Sequence, residues 1–93
     1  MRIVGYIEDP QLKITLFEMD NRLSVKFETG LYEQTYKFRK GDLIKTAEDI
    51  KKVVTSAFKA KVLAQFNQMH QLKNESVIET LANPAEGSFE EII

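Results

Sequence analysis

The stretch TAEDIKKVVTSAFKAKVLAQFNQMHQL, Thr46 to Leu72, is the one part of the chain long and periodic enough to predict a helix of many turns. Ile50, Val53, Val54, Ala57, Phe58, Val62, Phe66 and Met69 recur at steps of three and four residues, the spacing of one helical face. Thr46 followed by Glu48 and Asp49 marks the start. A threonine there offers an oxygen to the first unpaired backbone donors, and acidic residues suit the positive end of the helix dipole. Asp49 stands where a capping box usually has Glu or Gln.

An ideal helix turns 400° in four residues, so the row Ile50, Val54, Phe58, Val62, Phe66 drifts by about 40° per step. One apolar stripe therefore cannot serve the whole length. The first half is expected to lie on a sheet, and Val62, Leu63, Phe66 and Met69 are expected to face something else, a second subunit or the chain's own end.

The residues before the helix supply the sheet. Leu12, Ile14 and Leu16 alternate with Lys13, Thr15 and Phe17. Leu23, Val25 and Phe27 alternate with Ser24, Lys26 and Glu28, and Tyr32, Gln34, Tyr36 and Phe38 with Glu33, Thr35, Lys37 and Arg39. A period of two with a dry side and a wet side is the signature of an antiparallel sheet. Asp20-Asn21 and Thr29-Gly30 are turn-forming pairs, and Asp9-Pro10 closes an earlier strand over Arg2 to Glu8. Gly5 within that strand implies a bulge or the close approach of the helix.

These readings combine into an α+β fold, a four-stranded antiparallel meander with one face covered by the long C-terminal helix. Residues 1–73 form the domain. Residues 74–93 are expected to add a short helix over Asn74 to Ala82, capped by Ser76 and stopped by Asn83-Pro84, and then a tail. Its last residues, Phe89 to Ile93, are both acidic and apolar.

A chain of 93 residues makes one small core, burying roughly 60–65% of its unfolded surface. Its 13 basic and 14 acidic side chains leave a net charge of −1, which excludes a global attraction to nucleic acid or anionic membrane but not a local basic patch. Without cysteine there is no disulfide, thiolate metal site or cysteine nucleophile. No apolar run has the length of a signal peptide or a membrane span, and a cytoplasmic location is expected.

Chemistry-bearing motifs are scarce. His70 has no partner at metal-ligand spacing, and the four glycines form no phosphate loop. The paired carboxylates Glu8-Asp9, Glu48-Asp49 and Glu90-Glu91 lie at turns, caps or the chain end, where solvated carboxylates belong. No enzyme, metal, cofactor or small-molecule substrate is expected. Two surfaces remain. On the wet face, Lys13, Phe17, Lys26, Lys37 and Arg39 interleave cations with a ring, as single-stranded nucleic acid requires. Arg2 and Tyr6 join them if the first strand pairs in phase. Glu28 and Glu33 on the same face count against this. The second stripe of the helix, Val62, Leu63, Phe66 and Met69, is the candidate dimer face. The expected function is a non-enzymatic interaction module, homodimeric, with single-stranded nucleic-acid binding by the sheet as the alternative.

The strings Met1 to Glu8, Leu23 to Glu28 and Glu33 to Phe38 together resemble a family of small bacterial proteins of unknown function. The resemblance covers about residues 1–73 and implies no activity. A four-strand meander followed by a long helix is also similar in topology to the single-stranded-DNA-binding coactivator and Whirly folds, where the sheet binds nucleic acid and helices support oligomers. None of their motifs is matched, so no functional residue is carried over.

Overall fold

The computed structural model describes residues 1–82. It divides into two compact units, the first Met1–Leu63 and the second beginning at Ala64. The first holds an antiparallel sheet of β1 (Arg2–Ile7), β2 (Lys13–Met19), β3 (Arg22–Thr29) and β4 (Tyr32–Arg39) in that spatial order, the expected meander. Helix α1 (Ala47–Val53) and the start of α2 (Ser56–Val77) follow.

Both β2–β3 and β3–β4 are joined by two-residue loops, Asp20-Asn21 and Gly30-Leu31. In each the first loop residue has positive φ, 52° at Asp20 and 50° at Gly30, as strands with right-handed twist require of so short a connection. At the third connection the Asp9 carboxylate accepts the backbone N–H groups of Gln11 and Leu12 at 2.9 and 3.0 Å. It also pairs with Lys59 of α2 at 3.3 Å.

The alternation read from the sequence sorts the inward face correctly, whereas Thr15 on the expected wet face is buried, between Tyr6 and Lys26 of the neighbouring strands. Ile14, Leu16, Leu23, Val25 and Phe27 are buried, and Leu12 joins them. Phe27 stacks on Phe58 of α2 with ring centroids 5.6 Å apart, and the Tyr36 ring stands edge-on to both. Gln34, the one polar residue buried among these apolar side chains on β4, donates from Nε2 to the Val62 carbonyl at 3.0 Å and accepts from the Tyr36 hydroxyl. A buried amide without partners would be costly, so this bond both satisfies Gln34 and aligns α2 on the sheet.

The single long helix expected from Thr46 to Leu72 is broken. Val54 has φ −80° and ψ 75°, and the Thr55 N–H reaches back only to the Val53 carbonyl at 2.8 Å, which is an inverse γ-turn. Thr55 Oγ1 then accepts the Phe58 N–H at 3.1 Å and starts α2. The cause is local: Val53-Val54-Thr55 is a β-branched run of reduced helix propensity, and Thr55 is a good cap. The consequence answers the 40° drift, because a fresh start resets the phase, and Ile50, Val54, Val62 and Phe66 are all buried. Helix α1 begins at Ala47 as expected. The Asp49 carboxylate accepts the N–H groups of Lys45 and Thr46 at 2.8 and 3.0 Å, and these bonds lower its pKa.

Of the two readings of Gly5, the bulge is the one formed, between Ile3 and Gly5. A Cβ there would sit 3.6 Å from Leu16 Cδ1 and 3.9 Å from Lys51 Cε of α1, which are ordinary contacts, so no close approach of the helix demands glycine.

In the second unit α2 runs without interruption through Asn74 and Ser76 to Val77, and one π-helical turn, Ile78–Ala82, extends it. The separate helix expected over Asn74 to Ala82 is therefore not formed. Ser76 caps nothing, since nothing in Leu72-Lys73-Asn74 stops a helix already under way. The stop at Asn83-Pro84 and the segment Phe89 to Ile93 lie outside the described residues. No helix among the described residues is long and apolar enough to cross a membrane.

Candidate nucleic-acid interface

Residues directly opposite one another on neighbouring strands share a face, so the register arranges the uncovered side of the sheet in rows. At one end Met19, Arg22 and Arg39 form a row. Next come Ile3, Phe17, Ser24 and Lys37, and then Tyr6, Thr15, Lys26 and Thr35. The last row is Lys13, Glu28 and Glu33.

All five sequence-predicted residues stand on this face, but they are not equivalent. Lys26, Lys37 and Arg39 gather toward one end of the β3–β4 half. Lys13 is opposite Glu28 and separated from them. The two acidic residues that weighed against the patch are both in the last row, away from Arg22 and Arg39. Arg22 belongs to the basic group and was not singled out from the sequence, although its parity with Ser24 and Lys26 was the signal.

The bulge in β1 divides the pair that depended on phase. Tyr6 lies opposite Thr15 and joins the face, 57% exposed. Arg2 is shifted to the other side, opposite Glu18. Ile3 takes a place on the uncovered face and is 53% exposed. An extra residue in one strand inverts the alternation of everything beyond it, which is why Arg2 and Tyr6 part company.

Arg22, Lys37 and Arg39 are exposed and have no ion-pair partner among the described residues. Lys26 is already engaged: its ammonium lies 5.7 Å from the Phe17 ring centroid and 3.9 Å from a Glu28 oxygen. Two like-charge pairs of opposite sign thus bracket the β3–β4 ladder, Arg22 opposite Arg39 and Glu28 opposite Glu33. Like charges directly opposite destabilise a sheet, so the arrangement costs stability in the free protein.

On the helix-facing side, at the end of the sheet, Glu18 accepts from Lys40 Nζ and from Arg2 Nη2, the latter at 2.7 Å. Lys40 first and Arg2 second pull its pKa down to about 2 from an ordinary 4.5. Among the described residues, Asp9 and Asp49 also have their pKa lowered, each chiefly by backbone N–H groups that its carboxylate accepts. An open depression of about 380 Å³ adjoins Glu18, lined by Met1, Arg2, Met19 and Asp20 as well.

A folded pKa below the unfolded one stabilises the protein above the unfolded value, and the contribution disappears as pH falls through the folded value. The stability difference between the wild type and Glu18→Gln is accordingly expected to be full at about pH 6 and to vanish between about pH 4.5 and pH 2. Urea midpoints of the two proteins across that range check it. A difference independent of pH would show that the Lys40 and Arg2 pairs do not hold in solution.

The candidate dimer face is altered more. Val62 and Phe66 are 2% and 5% exposed within the single chain, and Leu63 and Met69 are half-buried. Val62 also offers its carbonyl to Gln34. This corrects the expectation that the four residues form one free face, since Val62 and Phe66 are already buried within the single chain. The exposed apolar residues lie further along, at Leu72, Val77, Ile78 and Leu81. His70 is exposed beside Asn74, with Nε2 and Nδ2 3.0 Å apart. Among the described residues no cluster of His, Cys, Asp and Glu is placed to hold a metal ion.

The chain matches no protein-family model, no curated protein and no solved structure, so its functional reading rests on this geometry.

Proposed function

We propose that this chain is a non-enzymatic binding module and that its ligand is single-stranded nucleic acid, held on the uncovered face of the sheet. The observation that carries the reading is the row arrangement: Arg22, Lys37 and Arg39 gather at one end of the β3–β4 half, Phe17 and Tyr6 lie on the neighbouring strands, and Lys26 stands between these cations and the Glu28–Glu33 row. Cations in that position neutralise phosphates, and rings with a free face stack on bases. The net charge of −1 does not oppose this, because the screening length at physiological salt is about 8 Å and a ligand responds to the local patch.

Fluorescence anisotropy with a labelled thymidine oligonucleotide tests it. Four phosphate contacts at about 0.7 each give a slope of about −2.8 in log K against log salt, a loss of about 50-fold between 50 and 200 mM. Absence of binding at 50 mM salt would end the reading.

A second reading, self-association, is favoured by the exposure of Leu72 and Leu81, at 67% and 73%, on the distal part of α2 and its π-helical turn. Light scattering on the full chain is expected to give a dimer mass that Leu72→Glu with Leu81→Glu reduces to a monomer. A wild-type monomer at high concentration would remove it.

A further inference from the structure

The rows also distinguish the two long edges of the face. Its rings and apolar groups, Ile3, Tyr6 and Phe17, are all on β1 and β2. Its concentrated cations, Arg22, Lys26, Lys37 and Arg39, are all on β3 and β4. Lys26 sits at the seam, with its ammonium over the Phe17 ring. A nucleic-acid strand has the same two-sided chemistry, bases along one edge and phosphates along the other.

We propose, resting on the reading above, that a bound single strand runs along the direction of β2 and β3. Its bases lie toward β1–β2, its phosphates lie over β3–β4, and the Glu28–Glu33 row terminates the track. From Arg22 to Lys26 the cationic part covers five residues, which is four steps or about 14 Å at about 3.4 Å per step. A strand crossing the β-strands at right angles would meet at most two of these cations in any row. One running along them meets all four. Beyond Lys26 the next row offers a phosphate two opposed carboxylates, which repel it.

The footprint is therefore short, near the lower end of the ~4–16 nucleotides that single-strand sites occupy. The two glutamates act as a stop that sets its length. They also exclude the reverse disposition, with phosphates at the hairpin end of β3 and β4.

The test uses the full chain and labelled thymidine oligonucleotides of about four and about twelve nucleotides, the short one matching the proposed footprint. Three exposed positions are changed, Tyr6→Ala, Lys37→Gln and Glu33→Gln, and circular dichroism confirms that each variant folds. Tyr6→Ala is expected to weaken both oligonucleotides at least about fivefold at every salt concentration, leaving the salt slope unchanged, because stacking involves no counterion. Lys37→Gln is expected to reduce the slope by about 0.7. Glu33→Gln is expected to tighten the longer oligonucleotide and leave the shorter one as it was, since only the longer reaches the stop.

Loss of slope on Tyr6→Ala, or tightening of both lengths by Glu33→Gln, overturns the orientation while nucleic-acid binding itself stands. Failure of the wild type to bind either oligonucleotide overturns both.

Discussion

Replacing Phe27 by alanine is expected to cost about 3–5 kcal/mol, the largest single-residue loss of stability in this chain. The ring is completely buried, stacked on Phe58 and met edge-on by Tyr36. Its removal leaves a cavity between sheet and helix and also severs ring–ring interactions worth about 0.5–1.5 kcal/mol each beyond their burial. A chain of 93 residues has roughly 5–14 kcal/mol of stability in all, so the variant loses about a fifth of it or more. Thermal unfolding followed by circular dichroism is expected to show a midpoint lowered by at least roughly 12 °C. Tyr6→Ala, on the exposed side, serves as the comparison and should shift it by no more than a few degrees. Equal effects at the two positions would mean that the faces are assigned the wrong way round.

The second large effect concerns binding. Lys37→Glu combined with Arg39→Glu is expected to abolish oligonucleotide binding without lowering the unfolding midpoint, because Arg39→Glu replaces a repulsion opposite Arg22 with an attraction. Both side chains are exposed, and neither has an ion-pair partner among the described residues. Neutralising the two removes about 1.4 from the salt slope, which at 50 mM salt amounts to a loss of about 60-fold relative to a 1 M reference. Reversing them adds repulsion from two carboxylates beside Arg22, and binding falls below detection. The matching change on the other edge, Glu28→Lys with Glu33→Lys, should strengthen binding of long oligonucleotides. If the Lys37 and Arg39 reversal leaves the affinity within threefold of wild type, the sheet is not the binding surface.

The interface was legible in its parts and not in its arrangement. Lys13, Phe17, Lys26, Lys37 and Arg39 could be assigned to one face because the alternation of side chains belongs to each strand alone. Grouping them needed the pairing between strands. That register separated Lys13 from the other cations, added Arg22 and confined Glu28 and Glu33 to the far row. Ile3 and Tyr6 share the uncovered face only because of the bulge at Ile3–Gly5, which Gly5 signalled without revealing which residues would be inverted.

For the helices the division is similar. The apolar spacing from Ile50 to Phe66 announced a helical cover for the sheet, and the drift of that spacing announced that one straight stripe would not serve. The inverse γ-turn at Val54 resolves the conflict, and its residues were in plain view as a β-branched run ending in a capping threonine. Helical periodicity continues through Val53-Val54-Thr55, however, so local signals for carrying on and for breaking were in balance. In the interrupted path Ile50, Val54 and Val62 are all buried.

By itself, then, the amino-acid order determined the class of fold, the number and sequence of strands, the inward faces and the start of α1. These follow from periods of two and 3.6 residues and from turn and cap chemistry, all of which act within a few neighbouring positions. Tertiary structure alone decided the helix break, the inversion of Arg2, the burial of Val62 and Phe66, and the split of the uncovered face into a ring edge and a cation edge. Each depends on groups far apart in the chain whose relative placement is fixed only when sheet and helices compete for the same buried space.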